Sequence, residues 1–456
     1  MATRRTQPGR GCKRIRSLDE LGSLWSTETA PKRLQATEEE EEADDLPPAS
    51  AWAQLETRRE RRFWRALPRA AQLDYTQKWD RLRKAHTQLP PYKYRILQLA
   101  VPQHVQLDAL TRLEQVRQSE DQADTAKVRD WLEGLLRIPF DTYIHHTVPH
   151  TGIADHLTHV KRTMDQAVYG HSEAKESILH LVAQGLANPA ATPHILGIQG
   201  PMGNGKTTLV REGVAKALNR PFVQISLGGA SDVAFLHGHS YTYEGSRWGK
   251  LVDILMESRC MNPIVYFDEL DKLSTSEKGQ EIANLLIHLT DDSQNHAYVD
   301  RYFSNIELDL SRALFIFSFN DEQAINPILK DRLTIIRTRP LQRDDKLHIL
   351  RDYLLPRTQR NLGFAPEDVT LPDESYQALL EMAPPEQGVR QLKQLLECVL
   401  LRILTLTISP GDHEFMRCMP ATLHGVRLQR PVRLRRDLLA KLVRHQPPPA
   451  HLHMYT

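Results

Sequence analysis

Residues 200–208 read GPMGNGKTT, a glycine, four residues, then Gly-Lys-Thr. This is the spacing of a loop that wraps phosphate. Small residues at Gly200, Gly203 and Gly205 let successive backbone N–H groups point at phosphate oxygens, with Pro201, Met202 and Asn204 completing the turn. The apolar run HILGIQ (194–199) ends directly at Gly200, and a helix-like run, KTTLVREGVAKAL, begins at Lys206. A strand, a loop and a helix in that order is the context the motif requires, and the helix N-terminus adds positive potential. Lys206 is expected on the β- and γ-phosphates of ATP, Thr208 beside the nucleotide, and Thr207 on Mg²⁺.

Four further stretches supply the chemistry a mere binder lacks. IVYFDELDK (264–272) is a buried strand with Asp268 and Glu269 at its C-terminal end, the edge where doubly wound sheets bind ligands. Asp268 is expected to hold Mg²⁺ through its water shell, and Glu269 to polarise the attacking water. FIFSFND (315–321) puts Asn320 at the end of another strand, placed to orient the same water. NPILKDRLTII (326–336) sets Arg332 just before a strand, where in a ring it reaches a neighbour's γ-phosphate. QGVRQL (387–392) opens a helix at Arg390, placed to report the γ-phosphate to a lid.

The elements that must carry these residues are legible. Between 160 and 340 the strand-like runs HILGIQ, FVQIS, PIVYFDE, ALFIFSF and LTIIRT alternate with helical segments. Near-continuous apolar strands between helices imply an α/β fold, a parallel sheet covered on both faces. We expect this nucleotide-binding domain over 145–340. A small helical lid, notably KLHILRDYLL and GVRQLKQLLECVLLRIL, should follow over 341–445, and a tail over 446–456. Residues 51–144 read as a helical N-terminal region. Its segment KVRDWLEGLLRIPF sets Val128, Trp131, Leu132 and Leu135 on one face. The His-rich stretch HHTVPHTGIADHLTH (145–159) matches no metal-ligand spacing and reads as a solvated linker.

Residues 1–50 read as a disordered charged tail: six basic residues precede the first acid, Asp19, and EEEEEADD follows at 38–45. The 456 residues are 40% hydrophobic and 25% charged, with a formal net charge of +2. No apolar run is long enough for a membrane span and the N-terminus lacks an apolar signal core, so we expect a soluble intracellular protein, cytoplasmic or nuclear, with no membrane partner. Four scattered cysteines fit a reducing compartment.

These motifs in this order resemble the AAA+ ATPases, and within them the Lon type, from about 127 to 445. DQAVYGHSEAKESILHLVA (165–183) is similar to Lon's entry into its nucleotide domain, which implies Tyr169 and Gly170 beside the adenine. GIQGPMGNGKTTL, GHSYTYEGSRWGKLVDIL, YFDELDK and HLTDDSQN are closer still to Lon-like ATPases of large DNA viruses and some protists that lack a protease domain.

The resemblance implies a loop, FLHGHSYTYEGSRWG (235–249), whose aromatic, Tyr243, grips polypeptide in the pore of a homo-hexameric ring. The competing reading packs Tyr241, Tyr243 and Trp248 against the domain. Glu244 stands where Lon typically has an aliphatic residue, which implies a different or basic client. Lon's protease domain is expected to be missing, since the chain stops at Thr456. The expected function is therefore an ATP- and Mg²⁺-dependent ring that remodels, unfolds or translocates client protein, with any protease a separate partner. The alternative is a motor on nucleic acid, which the basic tail and VRLRRDLLAKLVR (432–444) favour.

Overall fold

A computed structural model describes residues 58–87, 90–118, 122–144, 152–188, 195–230, 232–243, 245–408, 423, 426 and 428–443. The charged tail, the terminal tail and Glu244 lie outside the described residues. The chain divides into two compact units, 1–89 and 90–456. In the first, helices Arg58–Ala66 and Arg69–Thr87 are joined by a tight turn at Leu67–Pro68. Pro68 accepts from Ala71 N at 2.9 Å and so starts the second helix.

The second unit is built on a five-stranded parallel sheet: β1 (Leu196–Gln199), β2 (Phe222–Ser226), β3 (Ile264–Asp268), β6 (Leu314–Phe319) and β7 (Thr334–Arg337), in the order β2-β3-β6-β1-β7. Two residue pairs, β4 (Tyr298–Val299) and β5 (Glu307–Leu308), form a separate antiparallel ribbon. Each strand of the five-stranded sheet matches an expected apolar run. Side-chain alternation explains why: Val265, Phe267, Phe315 and Phe317 face one core, and Ile264, Tyr266 and Ile316 face another. Burying each such side chain contributes roughly 1.5–3 kcal/mol, so both faces must be covered. Gly197 in β1 leaves room for the Phe319 ring, which a Cβ would approach to 3.1 Å.

One face is covered by helices Ile153–Ala167 and Ser172–Ala187 with the helical run that begins at Lys206. Part of the expected His-rich linker is thus helix. Ile153, Leu157, Val160 and Met164 recur at helical spacing, and Val160 and Met164 are fully buried. The exposed His159 and the half-buried His156 interleave with those positions and concealed the stripe. On the opposite face, helices Tyr92–Leu97, Gln103–Gln118 and Gln122–Leu135 share a core with the sheet. Trp131, Leu132 and Leu135 are buried there, and Val128 packs against them.

A third core joins helices Arg343–His348, Leu355–Asn361, Asp373–Met382, Arg390–Ile408 and Arg436–Val443. In it β8 (Val369–Thr370) pairs in parallel with β9 (Val432–Arg433). Among the described residues, no helix is long and apolar enough to cross a membrane, and no His, Cys, Asp or Glu cluster could hold a metal ion.

Candidate nucleotide site

β1 runs between β6 and β7, so the loop after it opens at the carboxyl edge of the sheet where the strand order reverses. Gly203 and Gly205 have φ of 73° and 85°, the left-handed region that lets the chain fold tightly before the helix at Lys206. At Gly200 a Cβ would sit 1.9 Å from Thr338 Oγ1. Thr338 itself donates to Gln199 O at 2.9 Å. The side chain of Asn204, 3% exposed, donates to Thr338 Oγ1 at 3.1 Å and Arg339 O at 2.8 Å, tying the loop to the end of β7.

Lys206 Nζ donates to Gly200 O at 2.5 Å, Pro201 O at 3.1 Å and Asn320 Oδ1 at 2.8 Å. Burial lowers its pKa, and the field of Asp268 and Asp271 opposes that shift. Thr207 Oγ1 lies 3.2 Å from Tyr266 OH. Met202, at the loop's tip, is exposed. Past Thr208 the helix widens into a π-helical stretch, Leu209–Ala215, where Gly213 passes close under Met164.

The acidic pair closes β3. Asp268 accepts from Gln224 Nε2 at 2.9 Å, from the Ser318 hydroxyl and from Glu269 N at 3.1 Å. Gln224 lies on β2 and Ser318 on β6, so the carboxylate is oriented from both neighbouring strands. Glu269 is exposed and has φ 61°, and its carboxylate lies over Gly228, where a Cβ would meet Oε2 at 2.2 Å. Asn320 joins the group through Lys206, and its own carbonyl accepts from Gln199 Nε2 at 3.0 Å.

The helical lid reaches the loop directly. Gly388 is buried, and a Cβ there would meet Met202 O at 2.3 Å. Arg390 opens its helix beside Gly203, its Cβ 3.0 Å from where a Gly203 Cβ would stand. Gly170 has φ 73°. The Tyr169 ring stacks on His348 of the lid, centroids 5.2 Å apart, with Tyr353 edge-on. His171 bonds Asn204 O at 2.9 Å through Nε2, so the 165–171 segment touches both lid and loop.

Two expected residues stand apart. Arg332 pairs with Asp291 at 2.8 Å and donates to Ile287 O at 3.4 Å. Asp291 is drawn down to about 2, first by the Ser293 hydroxyl and then by Arg332. Tyr243 is 68% exposed. By contrast Tyr241 and Trp248 pack edge-on against Tyr302. The loop's base is closed by His239 N on Arg247 O at 3.0 Å and by the buried Asp300, which accepts from Gly249 N at 2.8 Å. Gln224, Ser318, Thr338, Asp291 and Asp300 were not singled out from sequence, because each acts on a partner remote in the chain.

Residues 196–341 match the family described as "ATPase family associated with various cellular activities (AAA)". These residues are therefore similar to an AAA domain, and the chain as a whole is similar to Lon proteins. It is 33% identical over 285 residues to "Lon protease homolog" of Acanthamoeba polyphaga mimivirus, covering 61% of this chain and 28% of that protein. It is 33% identical over 318 residues to "Lon protease homolog 3, mitochondrial" of Arabidopsis thaliana, covering 69% and 33%. It is 31% identical over 293 residues to "Lon protease" of Fusobacterium nucleatum, covering 64% and 37%. The chain thus spans about a third of the length of the curated relatives it matches.

Proposed function

We propose that the chain is an ATP-hydrolysing, Mg²⁺-dependent, ring-forming motor that remodels, unfolds or translocates protein. The observation that carries this reading is the convergence of Lys206, Asn320 and the Asp268–Glu269 pair at the carboxyl ends of β1, β6 and β3. The residues fit a bound nucleotide: the loop is glycine where any side chain would crowd it, and an ammonium, a hydroxyl and a carboxylate stand at its mouth. Bound Mg²⁺–ATP supplies the scissile phosphoanhydride and the cation that neutralises its charge.

In this reading Lys206 and the loop N–H groups hold the phosphates, and Thr207 and Asp268 hold the cation. Glu269 orients water and takes its proton, and Asn320 aims the same water. Tyr169 and Gly170 border the adenine. Arg332 serves a neighbour's nucleotide in a homo-hexameric ring, and Arg390 couples the cycle to the lid. Tyr243 grips the client. ATP hydrolysis is the chemistry we assign to these residues. Exposed Arg433, Arg435 and Arg436 favour the second reading, a motor on nucleic acid.

The test is ATP turnover alone, with a permanently unfolded polypeptide and with DNA, beside Glu269→Gln. Stimulation by polypeptide that vanishes in the variant supports the protein motor. Stimulation by DNA alone moves the nucleic-acid motor to first place. Equal turnover in variant and wild type removes the hydrolase reading.

A further inference from the structure

The loop that carries Tyr243 is held by side chains from the N-terminal helices as well as by the ATPase domain. Arg112, on helix Gln103–Gln118, lies with its guanidinium carbon 4.3 Å from the Trp131 ring centroid and 5.1 Å from that of Tyr241. Asp108 braces it at 3.1 Å. Lys127, on helix Gln122–Leu135, places Nζ 4.7 Å from the Tyr241 centroid and 3.3 Å from the carbonyl of Tyr243. The other end of the loop meets the same helices: Trp248 stacks on Phe303 at 6.0 Å, and Gly134 passes so close that a Cβ would stand 2.8 Å from the Trp248 ring. Both flanks of the loop are therefore fixed, while its tip, Tyr243, is exposed.

We propose that Arg112 and Lys127 are positioning residues for client engagement: they hold Tyr241, and through it Tyr243, in place, and so couple residues 103–135 to the polypeptide-gripping loop. This rests on the reading that Tyr243 contacts polypeptide. A cation within about 6 Å of an aromatic face is attracted to the ring, so removing it loosens the position of Tyr241 and of the neighbouring Tyr243. Neither residue lies among those assigned to the nucleotide, so the effect belongs to client engagement rather than to hydrolysis.

The experiment compares wild type with Arg112→Gln, Arg112→Lys, Lys127→Met and Tyr243→Ala, measuring ATP turnover against ATP and against a carboxymethylated, permanently unfolded polypeptide. In Arg112→Gln we expect unchanged basal turnover and an unchanged KM for ATP. The polypeptide concentration for half-maximal stimulation rises roughly fivefold, the scale of one to two cation–π contacts. Arg112→Lys restores most of it. A variant that had merely lost fold stability would lose basal turnover too. Lys127→Met, on a different helix, carries the test should Arg112→Gln not fold. Wild-type stimulation in both Arg112→Gln and Lys127→Met, with stimulation lost in Tyr243→Ala, overturns the inference and leaves the polypeptide reading intact. Wild-type stimulation in Tyr243→Ala overturns both.

Discussion

Val389 donates its backbone N–H to the carbonyl of Gly203 at 3.1 Å. The lid is thereby pinned to the phosphate loop by main chain, with buried Gly388 passing over Met202. A Cβ at 388 would stand 2.3 Å from Met202 O, a distance that backbone must relieve by moving. Gly388→Ala should therefore part the lid from the loop. We expect nucleotide affinity to fall about tenfold with little loss of melting temperature, measured by fluorescent-nucleotide titration and thermal melting. Wild-type affinity would show that the lid contact is incidental to binding.

Asn320 accepts from Lys206 at 2.8 Å and so sits between the two chemical ends of the site. Asn320→Ala removes both that acceptor and the proposed guide for water. Turnover should fall on the order of 10²-fold while nucleotide binding stays within a few fold. Asn320→Asp tests the electrostatics instead: an added carboxylate strengthens its pairing with Lys206 and draws that ammonium from phosphate, so binding should weaken. Equal loss of binding in both variants would reduce Asn320 to a packing role.

Arg332 and Asp291 form a pair 2.8 Å apart, with Asp291 further fixed by the Ser293 hydroxyl. If Arg332 serves a neighbouring subunit, Asp291 aims it. Arg332→Ala should cut turnover on the order of 10³-fold. Asp291→Ala should cost less, about tenfold, and add nothing in the double variant. Full additivity would mean that the two act independently. Because Asp291 is held low, at about 2, its contribution to stability is present above the usual carboxylate range and is lost as pH falls from about 4 towards 2.

Asp300 behaves in the opposite sense. Burial raises its carboxyl to about 6, against the pull of backbone donors at Gly249, Tyr302 and Phe303. The folded state therefore binds this proton more tightly than the unfolded chain does. As an ionised group at neutral pH Asp300 costs up to ~3 kcal/mol, and that cost is relieved as pH falls through 6 towards 4. Chemical denaturation of wild type and Asp300→Asn at pH 7 and pH 5 should show the difference shifting in favour of wild type at the lower pH. No shift between the two pH values would mean that the carboxyl is not raised in the folded protein.

Much of the fold was legible because its signals are local. Ile264–Asp268 and Leu314–Phe319 are apolar on both faces, a pattern that a parallel sheet between helices demands. The phosphate loop was legible because its chemistry depends on consecutive residues. What the sequence concealed is what packing decides. The helix Ile153–Ala167 hides its apolar stripe among histidines. The helices before residue 135 read as a separate region, yet Trp131 and Leu135 enter the same core as Phe267 and Phe317. Asn204 depends on Thr338 and Arg332 on Asp291, and no spacing rule links such positions.

Glu269 occupies the left-handed backbone region at φ 61°, which a glutamate accepts only under constraint from its surroundings. The preferences of backbone and of chemistry thus diverge at one residue. Glycine or asparagine there would relax the chain and, if Glu269 is the proposed base, abolish proton transfer. A saturation library at 269 should rank differently for thermal tolerance and for turnover, with the most heat-resistant members among the least active. Under the proposed mechanism the position is a built-in trade-off between robustness and catalysis, and it makes glutamine, which keeps glutamate's length and branching, the substitution that changes the chemistry while leaving the strain in place.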